Sequence, residues 1–537
     1  MSEGKRGDLE FQTIPKMLRI VSERYAQSVA ISQDGATLSY PELRARSGVV
    51  ARALLAAGIQ RGDRVAVWAP NLLEWPVIAL GIHQAGGVLV PINTRYRGHE
   101  AAFILQKSRA RILFTLSDFL DTDYVALLRE SGEPLPELER IVNVRGKDVE
   151  GAESLQAFEA LGERIDPAAL EARIDEVHPD DPADILFTSG TTGAPKGVIA
   201  THAQNLRAFR DWADVTGLRA GDRFLIVLPF FHSFGYKAGL LAGLMMGATI
   251  FPEPIFDADT VLKRIHEDRI SALPGPPALY QSLLQHPKLN DADLSSLRLA
   301  VTGAASIPVQ LIVDMREKLG FQTVITGYGL TESTGVATMC RHDDDPATIA
   351  TTSGRAIPGV EVEIHDDDGN RLPPNTPGEI VIRGYNVMRG YFELDEATRE
   401  TIDERGFLHT GDIGTLDERG YIRITDRKKD MFIVGGFNAY PAEIENALLA
   451  HPQVAEIAVI GIPDERLGEV GMAFVVPRPT ERIDPEEFLS FAKARLANYK
   501  VPRRVKMLDA LPRNATGKVT KFTLRELVNE AEGAPNA

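Results

Sequence analysis

The segment Phe187–Gly197, FTSGTTGAPKG, combines the residue types that bind phosphate groups. Its glycines let backbone N–H groups approach a ligand, its hydroxyls add donors, and Lys196 adds a positive charge. It is not a Walker A motif, which needs Gly-Lys followed by Ser or Thr, because Pro195 precedes the lysine and Gly197 follows it. The segment predicts a phosphate-binding loop built on a different plan. The alternative is a flexible polar linker.

Further loops carry side chains suited to the rest of a nucleotide. In TGYGLTES, Tyr328 could stack on a base and the carboxylate of Glu332 suits Mg²⁺. In HTGDIG, Asp412 could accept hydrogen bonds from ribose hydroxyls, and RNATGKVTK presents Lys518 in a Gly/Asn setting. Taken singly, acidic turn residues and lysines of this kind are most often solvated surface groups.

The segment FFHSFG contains His232 and Ser233 but has Phe where the G-x-S-x-G motif needs its first glycine. A serine hydrolase is therefore disfavoured. His232 is either a gating or catalytic side chain or a structural histidine.

The elements that must position these loops follow an α/β pattern. Ser39 and Glu42 have the spacing of a capping box and begin a predicted helix that ends near Gly58. RVAVWAPN and GGVLVPIN are apolar runs separated by a helical stretch, which is the βαβ pattern of a parallel sheet. Ligands bind beyond the carboxyl ends of such strands, and the loop that begins at Phe187 follows the strand DILFT in this way.

The sequence pattern changes at two positions toward the C-terminus. Short alternating strands from about Pro358 predict a small β-rich subdomain over residues 358–428. The charged stretch Asp426–Asp430 then predicts a domain boundary. We expect an α/β fold with a large N-terminal domain of parallel and mixed sheets, residues 1–428, and a small mobile α+β domain, residues 429–537.

Composition narrows the class of function. The 537 residues carry a net charge of −16, which disfavours nucleic acid and anionic membrane as partners. Cys340 is the one cysteine, so a disulfide within the chain is excluded and a small buried residue is expected. Neither a signal peptide nor an apolar run of membrane-spanning length is visible, so a cytoplasmic location is predicted.

The motifs FTSGTTGAPKG, GAAS, YGLTE, HTGD, DRKKD and LPRNATGK occur in that order between about Leu38 and Leu524. In this the sequence resembles the adenylate-forming superfamily of acyl-CoA synthetases, luciferases and peptide-synthetase adenylation domains. The resemblance implies ATP, CoA and Mg²⁺ as cofactors and a small carboxylic acid as substrate. It leaves a homodimer open.

The resemblance also implies a role for each matching residue. Lys518 would bridge the carboxylate and the α-phosphate, Thr331 would contact that phosphate, Glu332 would bind Mg²⁺, and His232 would gate the acyl pocket. Lys429 would be the hinge about which the C-terminal domain rotates between half-reactions. The remaining predicted residues bind pyrophosphate (Thr188, Ser189, Gly190, Thr191, Thr192, Gly193, Lys196), adenine (Gly303, Ala304, Ala305, Tyr328, Gly329), ribose (Asp412, Arg427) and the pantetheine of CoA (Gly435, Gly436).

The implied reaction is acid:CoA ligation through an acyl-AMP. An amino-acid adenylating enzyme is less favoured, because FFHSFGYK lacks the acid that would bind a substrate ammonium, and we expect no carrier domain. A luciferase is disfavoured because the sequence shows no peroxisomal signal. A non-catalytic nucleotide-binding protein of the same fold is disfavoured because Glu332, Arg427 and Lys518 are all retained.

For the acid, PFFHSFGYKAGLLAGL, LPGPPALYQSLL and VGGFNAYPAEIEN most resemble actinobacterial ligases that activate the propionate side chain of a steroid-derived bicyclic ring. A medium-chain or alicyclic fatty acid is the alternative. Bulky side chains in these segments predict a short, wide pocket: Phe230, Phe231, Phe234, Tyr236 and Tyr280. Lys237 either contacts a ring ketone or extends to solvent.

Overall fold

The computed structural model describes residues 6–188, 195–303, 307–427, 430–434, 437–464, 467–493, 495–496, 498–513 and 519–532. These residues form two compact units. The first contains Met1–Gly303, Ile307–Glu361 and Ile382–Leu408, and the second contains Val362–Val381 and His409–Ala537. This division falls within three strands of the β-rich segment, whereas the boundary at Lys429 stays a prediction.

The strands, in chain order, are β1 (Val29–Gln33), β2 (Ala36–Ser39), β3 (Arg64–Trp68), β4 (Val88–Pro91), β5 (Ile112–Thr115), β6 (Arg140–Asn143), β7 (Glu153–Ser154), β8 (Pro182–Thr188), β9 (Lys196–Thr201), β10 (Arg223–Ile226), β11 (Thr249–Pro252), β12 (Leu299–Thr302), β13 (Thr323–Tyr328), β14 (Thr338–Met339), β15 (Arg355–Ala356), β16 (Val360–His365), β17 (Gly378–Gly384), β18 (Gly390–Tyr391), β19 (Leu408–Leu416), β20 (Ile422–Arg427), β21 (Phe432–Val434), β22 (Phe437–Ala439), β23 (Val454–Asp464), β24 (Gly468–Pro477) and β25 (Arg504–Met507).

The α-helices are α1 (Gly7–Phe11), α2 (Ile14–Arg24), α3 (Tyr40–Ala56), α4 (Glu74–Gln84), α5 (Gly98–Ser108), α6 (Tyr124–Glu130), α7 (Leu155–Ala160), α8 (Pro167–Glu176), α9 (His202–Thr216), α10 (Ala242–Met246), α11 (Ala258–Glu267), α12 (Pro277–Leu284), α13 (Val309–Glu317), α14 (Pro346–Thr351), α15 (Asp395–Thr401), α16 (Pro441–Leu448), α17 (Pro485–Lys493) and α18 (Lys521–Glu532). A π-helix covers Phe234–Leu241, and 3₁₀ turns cover Leu161–Arg164, Leu289–Asp291 and Thr331–Ser333.

Three sheets build the first unit. One has the strand order β18-β9-β8-β4-β3-β5-β6-β7, a second has β10-β11-β1-β2, and a third has β12-β13-β14-β15. Single-residue bridges from Ala272 to Phe224 and to Leu299 connect the second sheet to the third. Because β3, β4, β5 and β8 run parallel to one another in the first sheet, their carboxyl ends lie at the same edge.

Local sequence signals explain these elements. Ser39 and Glu42 form the predicted capping box of α3, with Ser39 N donating to Glu42 Oε2 at 2.8 Å. Gly58, just beyond the helix, has φ +85°, a conformation that glycine adopts without strain. Helix α4 connects the parallel strands β3 and β4, as the βαβ pattern predicted. The expected α/β fold is confirmed.

The second unit has its own apolar core. Strands β23 and β24 pair antiparallel over most of their length, β21 pairs with β24, and β25 lies parallel to β24. Helix α16 begins at Pro441 and buries Ile444 and Leu448 in this core. The unit is therefore α+β.

Candidate functional site

The predicted phosphate loop connects β8 to β9, which pair antiparallel so that Thr188 stands opposite Lys196. The Thr188 hydroxyl donates to the Lys196 carbonyl oxygen at 3.4 Å. Strand β8 is also parallel to β4, so the loop begins at the carboxyl edge of a sheet, where α/β proteins bind ligands. The predicted residues Ser189, Gly190, Thr191, Thr192 and Gly193 lie outside the described residues.

The residues predicted to bind adenine follow two neighbouring parallel strands. Strand β12 pairs with β13, with Thr302 opposite Thr326, so Gly303 and Tyr328 lie close to each other at the strand ends. A Cβ added at Gly303 would meet nothing nearer than 3.4 Å, so packing among the described residues does not require a glycine there. Space beside Gly303 is what the close approach of a ligand needs. Ala304 and Ala305 lie outside the described residues.

Gly329 has a different reason to be glycine. A Cβ at this position would lie 2.5 Å from the Cα of Val336 and 2.6 Å from the Gly335 backbone. Only glycine therefore lets the chain after Tyr328 fold back against residues 335–336. This contact shapes the turn that carries Thr331 and Glu332, and a direct contact of Gly329 with nucleotide stays a prediction.

Thr331 and Glu332 lie in a 3₁₀ turn that exposes both side chains in part. Buried Ser333 fixes the turn, because its hydroxyl accepts from Leu330 N at 2.9 Å. The Glu332 carbonyl oxygen accepts from Met388 N at 2.7 Å. The turn is thus held from both sides, and the Glu332 side chain stays partly exposed.

Tyr391 is a residue of this site that the sequence did not indicate. Its hydroxyl donates to Glu332 Oε1 at 3.0 Å, and the Lys196 ammonium lies 4.8 Å from the centre of its ring. Burial and the Glu332 carboxylate raise the pKa of the phenol, so it stays a neutral donor. A tyrosine after glycine on a two-residue strand has no distinctive local pattern. Only the pairing of β18 with β9 places it here.

Among the described residues, no group of three or more His, Cys, Asp or Glu side chains is arranged to hold a metal ion. Mg²⁺ in a nucleotide site is usually bound through one or two carboxylates together with substrate phosphates. Glu332 is partly exposed and fits that requirement.

His232 has an exposed side chain. Desolvation and, second, the charge of Lys237 lower the pKa of its imidazole, so the ring is neutral at pH 7. A gating role for His232 stays a prediction. Nearby, Ser233 packs close to Gly335, where an added Cβ would lie 3.3 Å from Ser233 Cβ. The FFHSFG segment therefore adjoins the turn that carries Glu332.

Part of the predicted acyl-pocket wall is wrong. Phe230, Tyr236 and Tyr280 are fully buried, and the two tyrosines bond internally, to His83 Nε2 and to the Leu273 carbonyl oxygen, both at 2.7 Å. Of the five bulky residues, Phe231 and Phe234 keep accessible surface.

Both interpretations of Lys237 are also wrong. Its side chain is 1% exposed, and its ammonium lies 3.0 Å from Oδ1 of Asp184. The buried ammonium therefore neither extends to solvent nor lines an open pocket. No local sequence signal indicated the pairing.

The ribose residues meet in the second unit. Asp412 in β19 stands directly opposite Arg427 in β20. Asp412 N donates to the Thr410 hydroxyl at 3.0 Å, and Glu379 Oε1 accepts from Gly411 N at 3.0 Å. The backbone thus brings both predicted residues together, while the Arg427 side chain lies outside the described part of the structure.

Four predicted residues of the second unit lie outside the described residues: Lys429, Gly435, Gly436 and Lys518. Their described neighbours pair with each other. Val434 pairs with Phe437, on either side of the two glycines. Arg513 pairs with Val519, and Thr520 N donates to Pro512 O at 2.9 Å, on either side of residues 514–518. The roles of the four residues stay predictions.

The one cysteine of the chain does not provide a reactive thiol. Cys340 is buried, and burial raises the pKa of its thiol to about 12, which makes it a poor nucleophile.

Within the described part of the chain, no helix has both the length and the apolar character needed to cross a bilayer.

Comparisons with known proteins agree with this geometry. Residues 18–392 match the family of AMP-binding enzymes, and residues 443–518 match the C-terminal domain of AMP-binding enzymes. Two relatives share the name 3-[(3aS,4S,7aS)-7a-methyl-1,5-dioxo-octahydro-1H-inden-4-yl]propanoyl:CoA ligase. The Rhodococcus jostii protein is 48% identical over 96% of this chain and 98% of its own length. The Mycobacterium tuberculosis protein is 47% identical over 96% and 99%.

A solved structure of similar fold is the anthranilate CoA ligase AuaEII in complex with anthranoyl-AMP. It has a TM-score of 0.87 and 28% identity, and the match covers 97% of this chain and 98% of that one. The matching family, the relatives and the paired strands around Lys196, Tyr328 and Glu332 lead to one conclusion: this chain belongs to the family of AMP-binding enzymes, the adenylate-forming acyl-CoA synthetases that its motifs predicted.

Proposed function

We propose that this protein is an ATP-dependent acid:CoA ligase that activates the propionate side chain of a steroid-derived bicyclic ring, a methylhydrindanone propionate. The observation that carries the proposal is 47–48% identity, over 96% of the chain, to two ligases named for such an acid. The product would be acyl-CoA, with AMP and pyrophosphate released.

The reaction has two balanced steps. A carboxylate oxygen attacks the α-phosphorus of ATP, the bond to the β-phosphate oxygen breaks, and acyl-AMP and pyrophosphate form. The CoA sulfur, having lost its proton, then attacks the acyl carbon and AMP leaves. No protein nucleophile is needed, which agrees with the lack of a nucleophile elbow and with the buried thiol of Cys340.

In the first step, different residues of the first unit would bind different parts of ATP and the magnesium ion. Lys196 and Thr188 would hold the β- and γ-phosphates, Gly303 and Tyr328 would enclose adenine, and Thr331 would contact the α-phosphate. Glu332 would hold Mg²⁺, which when bound supplies positive charge against the phosphate oxygens. These contacts matter because two anionic groups must approach each other.

In the second unit, Asp412 and Arg427 would bind ribose, and Lys518 would bridge the carboxylate and the α-phosphate. Rotation at Lys429 would then exchange this arrangement for one in which Gly435 and Gly436 line the path of pantetheine. We assign these roles from the family motifs. The opposed positions of Asp412 and Arg427 support the ribose pair.

The test is a comparison of acids at equal ATP and CoA, following pyrophosphate release and thioester formation. We expect the methylhydrindanone propionate to exceed octanoate and palmitate in kcat/KM by about thirty- to a hundredfold, which corresponds to a misfit of ~2–3 kcal/mol. A linear fatty acid that is preferred tenfold would contradict the steroid substrate and leave the ligase chemistry intact. Pyrophosphate release without thioester formation would contradict CoA ligation.

A further inference from the structure

Tyr391 contacts two residues of opposite charge through different parts of its side chain. The hydroxyl donates to Glu332 Oε1 at 3.0 Å, while the ring lies under the Lys196 ammonium, 4.8 Å from its centroid. Within the described residues, Lys196 makes no ion pair. One aromatic side chain therefore connects the strand that follows the phosphate loop to the turn that carries Glu332.

The backbone holds Tyr391 firmly in this position. Strand β18 pairs antiparallel with β9, placing Tyr391 opposite Val198, and Phe392 N donates to the Gly197 carbonyl oxygen at 2.8 Å. From the other side, Tyr391 N donates to the Thr398 hydroxyl at 2.9 Å. With 7% of its surface exposed, the ring has little freedom to move away from Lys196.

The turn that carries Glu332 is held from the same segment. Met388 N, three residues before Tyr391, donates to the Glu332 carbonyl oxygen at 2.7 Å. Residues 388–391 thus hold the backbone of Glu332 and, through the Tyr391 hydroxyl, one oxygen of its carboxylate. An oriented carboxylate loses less conformational freedom on binding a cation.

We infer that Tyr391 is a positioning residue for nucleotide binding: its hydroxyl orients the Glu332 carboxylate toward the metal, and its ring seats the Lys196 ammonium toward the phosphates. The inference rests on the proposed function for the roles of Glu332 and Lys196. A ring face attracts an ammonium without neutralising its charge. By occupying the space between the two residues, Tyr391 keeps them from pairing with each other and leaves both charges for magnesium and phosphate.

Two substitutions separate the contacts. Tyr391→Phe keeps the ring and removes the hydroxyl, whereas Tyr391→Leu removes both. Calorimetry with the full-length protein and ATP, without acid or CoA, would measure the nucleotide Kd at a series of Mg²⁺ concentrations and in EDTA. These readouts do not depend on turnover.

For Tyr391→Phe we expect ATP affinity in EDTA within about twofold of the wild type and a Mg²⁺ requirement raised about tenfold, the usual scale for losing a partner of a metal ligand. For Tyr391→Leu we expect the same rise in the Mg²⁺ requirement and, in addition, ATP affinity in EDTA reduced roughly two- to fivefold, the scale of a cation–π contact. Wild-type values for Tyr391→Phe in both conditions would overturn the inference.

A matched control distinguishes positioning from general packing. Tyr385 lies in the same segment, is partly buried, and donates its hydroxyl to Asp211 Oδ2 at 2.5 Å, a carboxylate outside the proposed nucleotide site. Tyr385→Phe should lower the melting temperature without changing the Mg²⁺ requirement. If it raises that requirement as much as Tyr391→Phe does, the effect is structural and the inference is wrong. Failure of the wild type to make acyl-CoA would contradict the proposed function, while nucleotide binding would still test Tyr391.

Discussion

The ammonium of Lys237 lies 3.0 Å from Oδ1 of Asp184, and neither side chain is more than 1% exposed. Asp184 belongs to β8, four residues before Thr188, and its second oxygen accepts from Asn205 Nδ2 at 2.5 Å. Lys237 belongs to the π-helix Phe234–Leu241, which begins within the FFHSFG segment. A buried ion pair therefore connects β8, the strand before the phosphate loop, with the π-helix that begins in the FFHSFG segment.

We predict that Lys237→Met destabilises the protein by about 3–5 kcal/mol, because it leaves the Asp184 carboxylate buried without its counter-ion. Replacing both residues, with Asp184→Asn and Lys237→Met together, should recover much of that loss. Urea unfolding of the three proteins measures it. A double variant no more stable than the single one would show that packing, rather than charge, sets the cost.

The same substitution has a pH signature. Burial raises the pKa of Asp184 above its usual range, against the opposing effect of Lys237. When the folded pKa of an acid exceeds the unfolded value, the folded state loses stability as pH rises through that interval. In Lys237→Met the folded pKa of Asp184 rises further, so its difference from the unfolded pKa grows. Lys237→Met should therefore lose less stability, relative to the wild type, at about pH 5 than at about pH 8.

His202 makes a second contribution to pH dependence. Burial lowers the pKa of this histidine to about 4, and burial likewise lowers the pKa of neighbouring His83. A base with a lowered folded pKa stabilises the folded state fully above its unfolded pKa of about 6.5, and that stability is lost as pH falls toward 4. We expect a loss of roughly 3 kcal/mol from His202 over this range.

His202→Gln tests this contribution through the slope of unfolding free energy between about pH 6.5 and pH 5. The variant should have a shallower slope than the wild type, whatever its stability at neutral pH. An unchanged slope would mean that His202 does not control acid unfolding. His202 Nδ1 accepts from Ile14 N at 3.4 Å, a contact that needs the neutral ring, and because the folded pKa is about 4 the contact stays intact over the pH range of this comparison.

Sequence patterns predicted what depends on local chemistry. The capping box of α3, the βαβ unit around α4 and the strand before the phosphate loop depend on residues a few positions apart, and each is confirmed. The order of the motifs predicted which loops would carry ligand-binding residues. The structure places Lys196, Tyr328 and Glu332 within the first unit and sets Asp412 opposite Arg427 within the second.

What the sequence did not predict depends on partners that are distant along the chain. Tyr391 reaches Glu332 across 59 positions, and Lys237 pairs with an aspartate that precedes the phosphate loop. In FFHSFGY, Phe230 and Tyr236 lie in the core, whereas Phe231 and Phe234 keep accessible surface. A π-helix begins at Phe234. Residue type therefore could not distinguish Phe230, which packs 5.0 Å from Trp75, from Phe231.

These two adjacent phenylalanines give a matched pair for the acyl site. Phe231→Ala should reduce kcat/KM for the preferred acid with a stability change below about 1 kcal/mol, as expected for an accessible side chain. Phe230→Ala should cost about 3–5 kcal/mol in stability, because it empties a buried site. Melting curves and acid titrations measure both effects. An unchanged kcat/KM in Phe231→Ala would remove that residue from the pocket.

For the hinge, we predict that Lys429→Pro leaves acyl-AMP formation measurable and blocks transfer to CoA, because proline fixes φ near about −65°. Lys429→Ala, which keeps backbone freedom, should support both half-reactions. The two steps are followed separately as pyrophosphate release and as thioester formation from supplied acyl-AMP. Normal transfer in the proline variant would refute rotation at this residue.

Lys518 and Lys521 allow the catalytic lysine to be tested against a neighbour. Lys521 forms an ion pair with Glu445 at 2.9 Å, within the second unit, so its side chain already has a structural partner. Lys518 falls between the paired residues Arg513 and Val519, in the segment that the family motif marks for catalysis.

If Lys518 bridges the carboxylate and the α-phosphate, its charge acts only while those groups react, and Lys518→Ala should slow acyl-AMP formation about a thousandfold, or ~4 kcal/mol of barrier. Thioester formation from supplied acyl-AMP should be largely spared, since that attack is at the acyl carbon and does not bring a carboxylate to the α-phosphate. Lys521→Ala should leave both half-reactions near wild-type rates. An equal loss in the two half-reactions of Lys518→Ala would mean that the lysine supports the fold or binds AMP throughout the cycle, and the assignment to adenylation would be wrong.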